Sequence, residues 1–199
     1  VSGALAPVVD DGRAWERLSG AIDHLPAELP DYDAILEREG TPSADVLATW
    51  QPLDDRITLL RDVVTGPPGL AVPRPTDPMS PSVSLIPFLK LCRAWLLSAW
   101  AHAASGAPAR GVTEMLHVQA LAVRFMRGDT GLVETMIGIV VHERARRELR
   151  ELLDTFGAED AALLAHSAAG LVPLEPGAIA RALVVEANTV EPMFTTSMD

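Results

Sequence analysis

The sequence holds one cysteine, one lysine, one tyrosine and few aromatic residues of any kind, 5% in all. A lone Cys92 excludes an internal disulfide, and its Leu-Cys-Arg-Ala-Trp setting reads as a small buried hydrophobe on a helix, not a reactive thiol. Scarce aromatics in a chain that is 48% hydrophobic leave Ala, Leu and Val to build the core, which suits closely packed helices better than a sheet. No segment alternates apolar and polar residues long enough to make a strand. The chain also has no Gly-rich phosphate loop, no Gly-x-Ser-x-Gly elbow and no pair of cysteines. No residue is therefore assigned as catalytic, and no cofactor is implied.

Positive charge is the other shortage. The formal net charge is -11 over 199 residues, which argues against nucleic acid as a partner and against docking on anionic lipid, since both need a basic surface. The imbalance is uneven. Residues 1–65 carry 13 acids against 5 Arg, whereas residues 66–110 carry Lys90 and three Arg against the single Asp77. A basic middle can meet an acidic protein partner or the chain's own acidic first third.

The length suits one domain, or one domain with an appended helical segment. The most apolar stretch, Ser82 to Ala101, is long enough to cross a bilayer, but Pro87, Lys90 and Arg93 interrupt it, so it reads as a core helix and no membrane span is expected in this chain. The sequence starts at Val1 without Met, which reads as a processed or excised product whose anchor, if it has one, lies upstream of Val1.

Apolar spacing and caps predict helices over Gly12–Leu25, Asp31–Glu39, Ser43–Trp50, Leu53–Val64, Leu85–Ala104, Gly111–Arg127, Gly131–Phe156, Glu159–Ala169 and Pro176–Asn188. Asp10 and Asp11 can cap the first. Between the fourth and fifth, six prolines from Pro67 to Pro81 exclude helix and central strand and mark a connector, with a polyproline ligand as the alternative. The expected organisation is an acidic helical segment over 1–66, a proline-rich connector over 67–82 and a main domain of helical hairpins over 83–199. Ser105–Arg110 and the tight Gly128-Asp129-Thr130 turn make successive helices of that domain antiparallel neighbours. The first half of helix 131–156 is nearly apolar all round and is expected to be the most buried part of the protein. Its second half narrows to the stripe Ala145, Leu149, Leu152, Leu153 and Phe156 and is expected at the surface.

Four residues could bind a metal. Glu114-Met-Leu-His117 has the spacing that di-metal bundles use to place a carboxylate and an imidazole on one inward face. No second copy of the motif follows, and Glu114, His117, Arg124 and Arg127 share a polar face that reads as solvent-facing. His142-Glu143 begins a zinc-protease pattern, but Arg146 stands where the second His belongs, and a guanidinium does not ligate zinc. Glu134, and more weakly Glu186, set a carboxylate in an apolar turn, where it must pair, face a cleft or stay protonated; it reads as a ligand or an acid, or as a helix N-terminal carboxylate favoured by the dipole. The acids and arginines of residues 143–154 read as solubilising pairs four residues apart, namely Glu143 with Arg147, Arg144 with Glu148 and Arg147 with Glu151. His24, His102 and His166 fall near helix ends, where imidazole can satisfy free carbonyls.

Three stretches, Gly12-Arg-Ala-Trp-Glu-Arg-Leu18, Gly128-Asp-Thr-Gly-Leu-Val-Glu-Thr-Met-Ile-Gly-Ile139 and Ala182-Leu-Val-Val-Glu186, together resemble uncharacterised bacterial envelope proteins with an N-terminal membrane anchor and a helical soluble domain. That resemblance implies an anchored or periplasmic domain and carries over no catalytic residue. Helix 111–127, its tight turn and the next helix are similar to a tetratricopeptide-type hairpin, with no repeat near 34 residues along the chain. The combined expectation is an all-α bundle of antiparallel, repeat-like hairpins. Its expected role is a non-catalytic interaction or scaffold module that binds a protein partner or itself. The alternative is an all-helical metal-dependent enzyme using Glu114, His117, Glu134 and His142.

Overall fold

The structure, a computed structural model, describes residues 13–23, 25–26, 28–37, 42–66, 85–127, 131–157, 160–171, 173–174 and 177–184. Among them every regular element is helical: α1 (Arg13–Ile22), α2 (Tyr32–Leu36), α3 (Ala44–Leu47), a 3-10 helix (Ala48–Leu53), α4 (Asp54–Thr65), α5 (Ile86–Ala104), α6 (Pro108–Arg127), α7 (Leu132–Phe156) and α8 (Ala161–Gly170). A last helical stretch spans 178–184. The all-α expectation is met. The proline-rich connector, the Asp10–Asp11 cap, the Gly128–Thr130 turn, His24 and Glu186 lie outside the described residues.

Local chemistry sets the boundaries. Asp31 opens α2 by accepting from Ala34 N–H at 3.2 Å, and Asp160 opens α8 by accepting from Leu163 N–H at 3.0 Å. Helix α5 ends with Gly106 at φ +90, where Gly106 N–H donates to Ala103 O at 3.1 Å and Ala107 N–H to His102 O at 3.0 Å. These are the two bonds of a Schellman cap. The cap turns the chain so tightly that α6 begins at Pro108, three residues before its expected start. The missing proline N–H costs nothing there, because first-turn amides have no partner inside the helix.

Helix α6 is the centre of the fold, with α5 and α7 antiparallel to it. Phe88 stacks on Phe125 at 4.9 Å between ring centroids, while Trp95, two turns further along α5, reaches back to Glu114. Two glycines allow the close approach. A Cβ on Gly111 would stand 2.7 Å from Ala99 O and 3.2 Å from Leu152 Cδ1, and one on Gly138 would stand 2.5 Å from Met126 Cγ. No side chain fits between the backbones at Gly111.

Helices α1 and α4 form a second antiparallel pair against α5 and α6. Arg56 Nη1 donates to Ala21 O at 2.9 Å and to Asp23 O, taking up carbonyls left open at the end of α1. Arg124 does the same for α4, donating to Val63 O and Gly66 O at 2.8 Å each. One contiguous core joins residues from both sides of the proline-rich segment, from Leu18, Ile57 and Leu60 through Trp95 and Leu97 to Leu121, Leu149 and Leu163.

Three expectations are corrected. The polar face of α6 does not meet water: Glu114 is buried and Arg124 half-buried, because α4 lies across that face and supplies the carbonyls and the guanidinium its polar groups need. The first half of α7 is not the most buried part of the protein. Val133, Met136 and Val140 are 60%, 55% and 53% exposed, since only one side of that half faces α6. Its second half keeps the expected surface position, with Ala145, Leu149 and Leu152 buried and Arg146, Arg147, Arg150, Glu151 and Asp154 exposed, but Glu148 is buried beside the stripe instead of forming a solubilising surface pair.

Gly111→Ala forces α5 and α6 apart at the backbone. Its expected cost is about 1–3 kcal/mol of folding stability, measured by urea unfolding. A change below about 0.5 kcal/mol, the range of ordinary surface substitutions, would show that the helices do not meet as closely as described.

Candidate functional site

Two tryptophans on α5 each point an indole N–H at a buried glutamate. Trp95 Nε1 donates to Glu114 Oε2 at 2.5 Å, and Trp100 Nε1 donates to Glu148 Oε2 at 2.9 Å. A carboxylate taken out of water must be paired and hydrogen-bonded to stay charged. Glu114 meets that condition through Arg61 of α4, whose Nε lies 3.0 Å from Oε1 and 2.9 Å from Oε2. This group ties α4, α5 and α6 together.

The four metal candidates do not converge. Glu114 is held by Arg61 and Trp95. His117, one turn along α6, lies against Trp95 with ring centroids 6.4 Å apart. Burial lowers the His117 imidazole below its ordinary value of 6.5, against the opposing pull of Glu114. Glu134 is at the other end of the bundle: Gly111, one turn from Glu114, faces Leu152, whereas Gly138, one turn from Glu134, faces Met126. With a rise of 1.5 Å per residue the two carboxylates stand roughly 20 Å apart along α7. His142 is buried between them, its Nδ1 3.8 Å from Glu143 Oε1. Among the described residues no group of three or more His, Cys, Asp and Glu could hold a metal ion.

The two other described histidines, His102 and His166, do not cap carbonyls. His166 Nε2 meets Thr113 Oγ1 at 2.9 Å, bridging α8 to α6, and His102 lies edge-on to Trp50 at 5.9 Å. Burial, aided by Arg110, lowers the His102 imidazole from 6.5. Cys92 is the buried, inert thiol expected, and burial pushes its ionisation well up. No helix among the described residues is long and apolar enough to cross a membrane.

The second Trp–Glu pair leads to a cleft of about 590 Å³ where α2, α5 and α7 meet. Leu89, Cys92 and Leu96 of α5 and Val140 and Val141 of α7 provide its apolar surface. Arg93, Arg144, Arg146, Arg147 and Arg150 provide its cations, with Asp33, Glu37 and Glu143 among them. Arg144 is fixed from below, its Nε 2.8 Å from Glu148 Oε1, while its Nη1 reaches toward Glu37 of α2 at 3.7 Å. Arg93 pairs with Asp33 at 2.5 Å and Arg146 with Glu143 at 3.0 Å. Arg147 and Arg150 are exposed and have no ion pair among the described residues.

Of the expected pairs on α7 only Arg144 with Glu148 forms, and it lies inside the protein. Glu143 turns to Arg146, three residues on, so the expected pair with Arg147 does not form. The sequence signal for this site was an apolar run followed by four arginines within seven positions. The helices α2 and α5 that make it a cleft are distant in sequence.

Burial holds the Glu148 carboxyl above its ordinary value of 4.5, with Trp100 and Arg144 pulling it down without cancelling the effect. The folded state therefore binds this proton more tightly than the unfolded state does, so charging Glu148 costs stability as pH rises above about 4.5. Glu148→Gln keeps an acceptor for Trp100 and removes that cost. Between about pH 4 and pH 7.5 the wild type should lose stability relative to Glu148→Gln in denaturant titrations; a constant difference across that range would contradict the assignment. Glu114→Ala strands the Arg61 guanidinium and should cost about 3–5 kcal/mol at neutral pH, whereas a loss under about 1 kcal/mol would mean that the pair is solvated.

Compared with protein-family models, with curated proteins and with solved structures, the chain matches none, so its function is argued from this geometry.

Proposed function

We propose that the chain is a non-catalytic helical interaction module whose binding face is the groove between α5 and α7. The observation that carries the reading is the exposed row Val133, Met136 and Val140, recurring at helical spacing on a helix whose opposite side is packed into the bundle. Isolated surface hydrophobes need no explanation, but a contiguous row leading into an apolar cleft with charged walls is the usual form of a protein-binding surface. Ile86, 63% exposed one turn before Leu89 on α5, extends the same face. The likeness of three stretches to bacterial envelope proteins favours a subunit or soluble domain of an envelope assembly, and the α6–α7 pair favours a tetratricopeptide-like hairpin as its frame.

A photo-crosslinking residue at Val140 tests this in cells of the source organism, with the exposed Ala162 of α8 as the control position. The expected result is a discrete adduct from position 140 and none from 162. No adduct at position 140, or equal labelling at both, would remove the reading.

A further inference from the structure

Resting on that reading, we propose that the groove receives an amphipathic α-helix of another protein, apolar on the buried face and carrying carboxylates along one edge.

The floor sets the shape of the occupant. Helices α5 and α7 are both antiparallel to α6 and so run parallel to each other, with Leu89 and Cys92 beside Val140 and Val141. Ile86 and Met136 lie one turn earlier on their respective helices, so the apolar strip continues beyond the cleft at that end. From Val133 to Arg150, α7 rises about 25 Å. A pocket for a small molecule encloses most of its ligand; this strip is open along its length and matches the length of a helix of about 17 residues. A furrow between two parallel helices accepts apolar side chains spaced at i, i+3, i+4 and i+7. The flexible Met136 adapts to the fit.

The walls set the charge. Arg93 and Arg146 are each matched by a carboxylate, and Arg144 is matched by Glu148 beneath it and reaches toward Glu37. Neither Arg147 nor Arg150 pairs with Glu151 or Asp154, the acids one turn on, so α7 presents two exposed guanidiniums with no ion pair among the described residues beside apolar floor. The opposite wall, from α2, carries Asp33 and Glu37. An occupant with carboxylates on both edges would meet repulsion at α2; one with carboxylates on the α7 edge alone meets attraction on one side and no penalty on the other. A second copy of this chain is disfavoured because each brings a formal charge of -11, and the same charge opposes an anionic membrane.

The test uses a fluorescent synthetic helical peptide of about 17 residues with leucines on one face and glutamates along one edge. It is compared with the same peptide bearing lysine for glutamate, and with a scrambled peptide that has no apolar face. Fluorescence anisotropy should show saturable binding of the acidic helix alone. Arg147→Glu/Arg150→Glu, both on exposed positions, should weaken it at least about tenfold and favour the lysine peptide, while circular dichroism stays unchanged. Met136→Asp, which removes apolar floor, should also weaken binding of the acidic helix. Equal binding of the scrambled peptide, or no effect of the double substitution, would overturn the proposal. So would a self-dimer in sedimentation equilibrium that the double substitution dissolves, or binding to phosphatidylglycerol vesicles without binding of the acidic helix. If position 140 crosslinks in cells but the acidic helix does not bind, this partner chemistry fails and the interaction module stands. Absence of the crosslink removes the module itself.

Discussion

The Glu114 carboxylate is withdrawn from water where α4, α5 and α6 meet, and the arrangement of those helices follows from what it then requires. A buried carboxylate without a counterion is far more costly than a buried hydrophobe, so Arg61 and Trp95 must both reach it. Those two contacts fix the rotation of α4 and α5 about their axes and leave little freedom in how α4 crosses α6. Arg124, near the other end of α6, completes the constraint by holding the open carbonyls at the end of α4. The acidic first third of the chain is thereby joined to the central hairpins by polar groups as well as by core packing.

The same device recurs at Trp100 and Glu148 with a different consequence. Glu148 has no second partner as well placed as Arg61. Arg144 neutralises it from the next turn of the same helix, and burial still holds its carboxyl above the ordinary range. The arrangement costs some stability at neutral pH, but it pins Arg144 at the junction of α2 and α7 and so defines one wall of the cleft. A stability cost concentrated beneath a concave surface is common where a protein binds something.

Helix α7 divides its length between two tasks. Its second half is gripped by α5 and α6, with Gly111 allowing Leu152 into the gap between them. Its first half is gripped on one side only, at Gly138, and presents Val133, Met136 and Val140 outward. That division explains why the apolar composition of the first half does not bury it all round: Val133, Met136 and Val140 stay exposed because burial depends on which neighbours arrive.

Sequence alone determined the helices and most of their ends, since a cap, a proline at a first turn and a 3.6-residue apolar period act within a few residues of one another. It also determined that Cys92 is a buried thiol, because a small apolar side chain on an apolar face has one place to go. Tertiary structure alone decided the environments of the charged residues. Glu114 and His117 share a face that reads as solvent until α4 covers it, and Arg144 and Glu148 read as a surface pair until α5 brings Trp100 to them. The cleft belongs to the same class. Its arginines are adjacent in the sequence, but its floor and far wall come from α5 and α2, and the electrostatics of a side chain are set by whatever the fold places within a few ångströms of it.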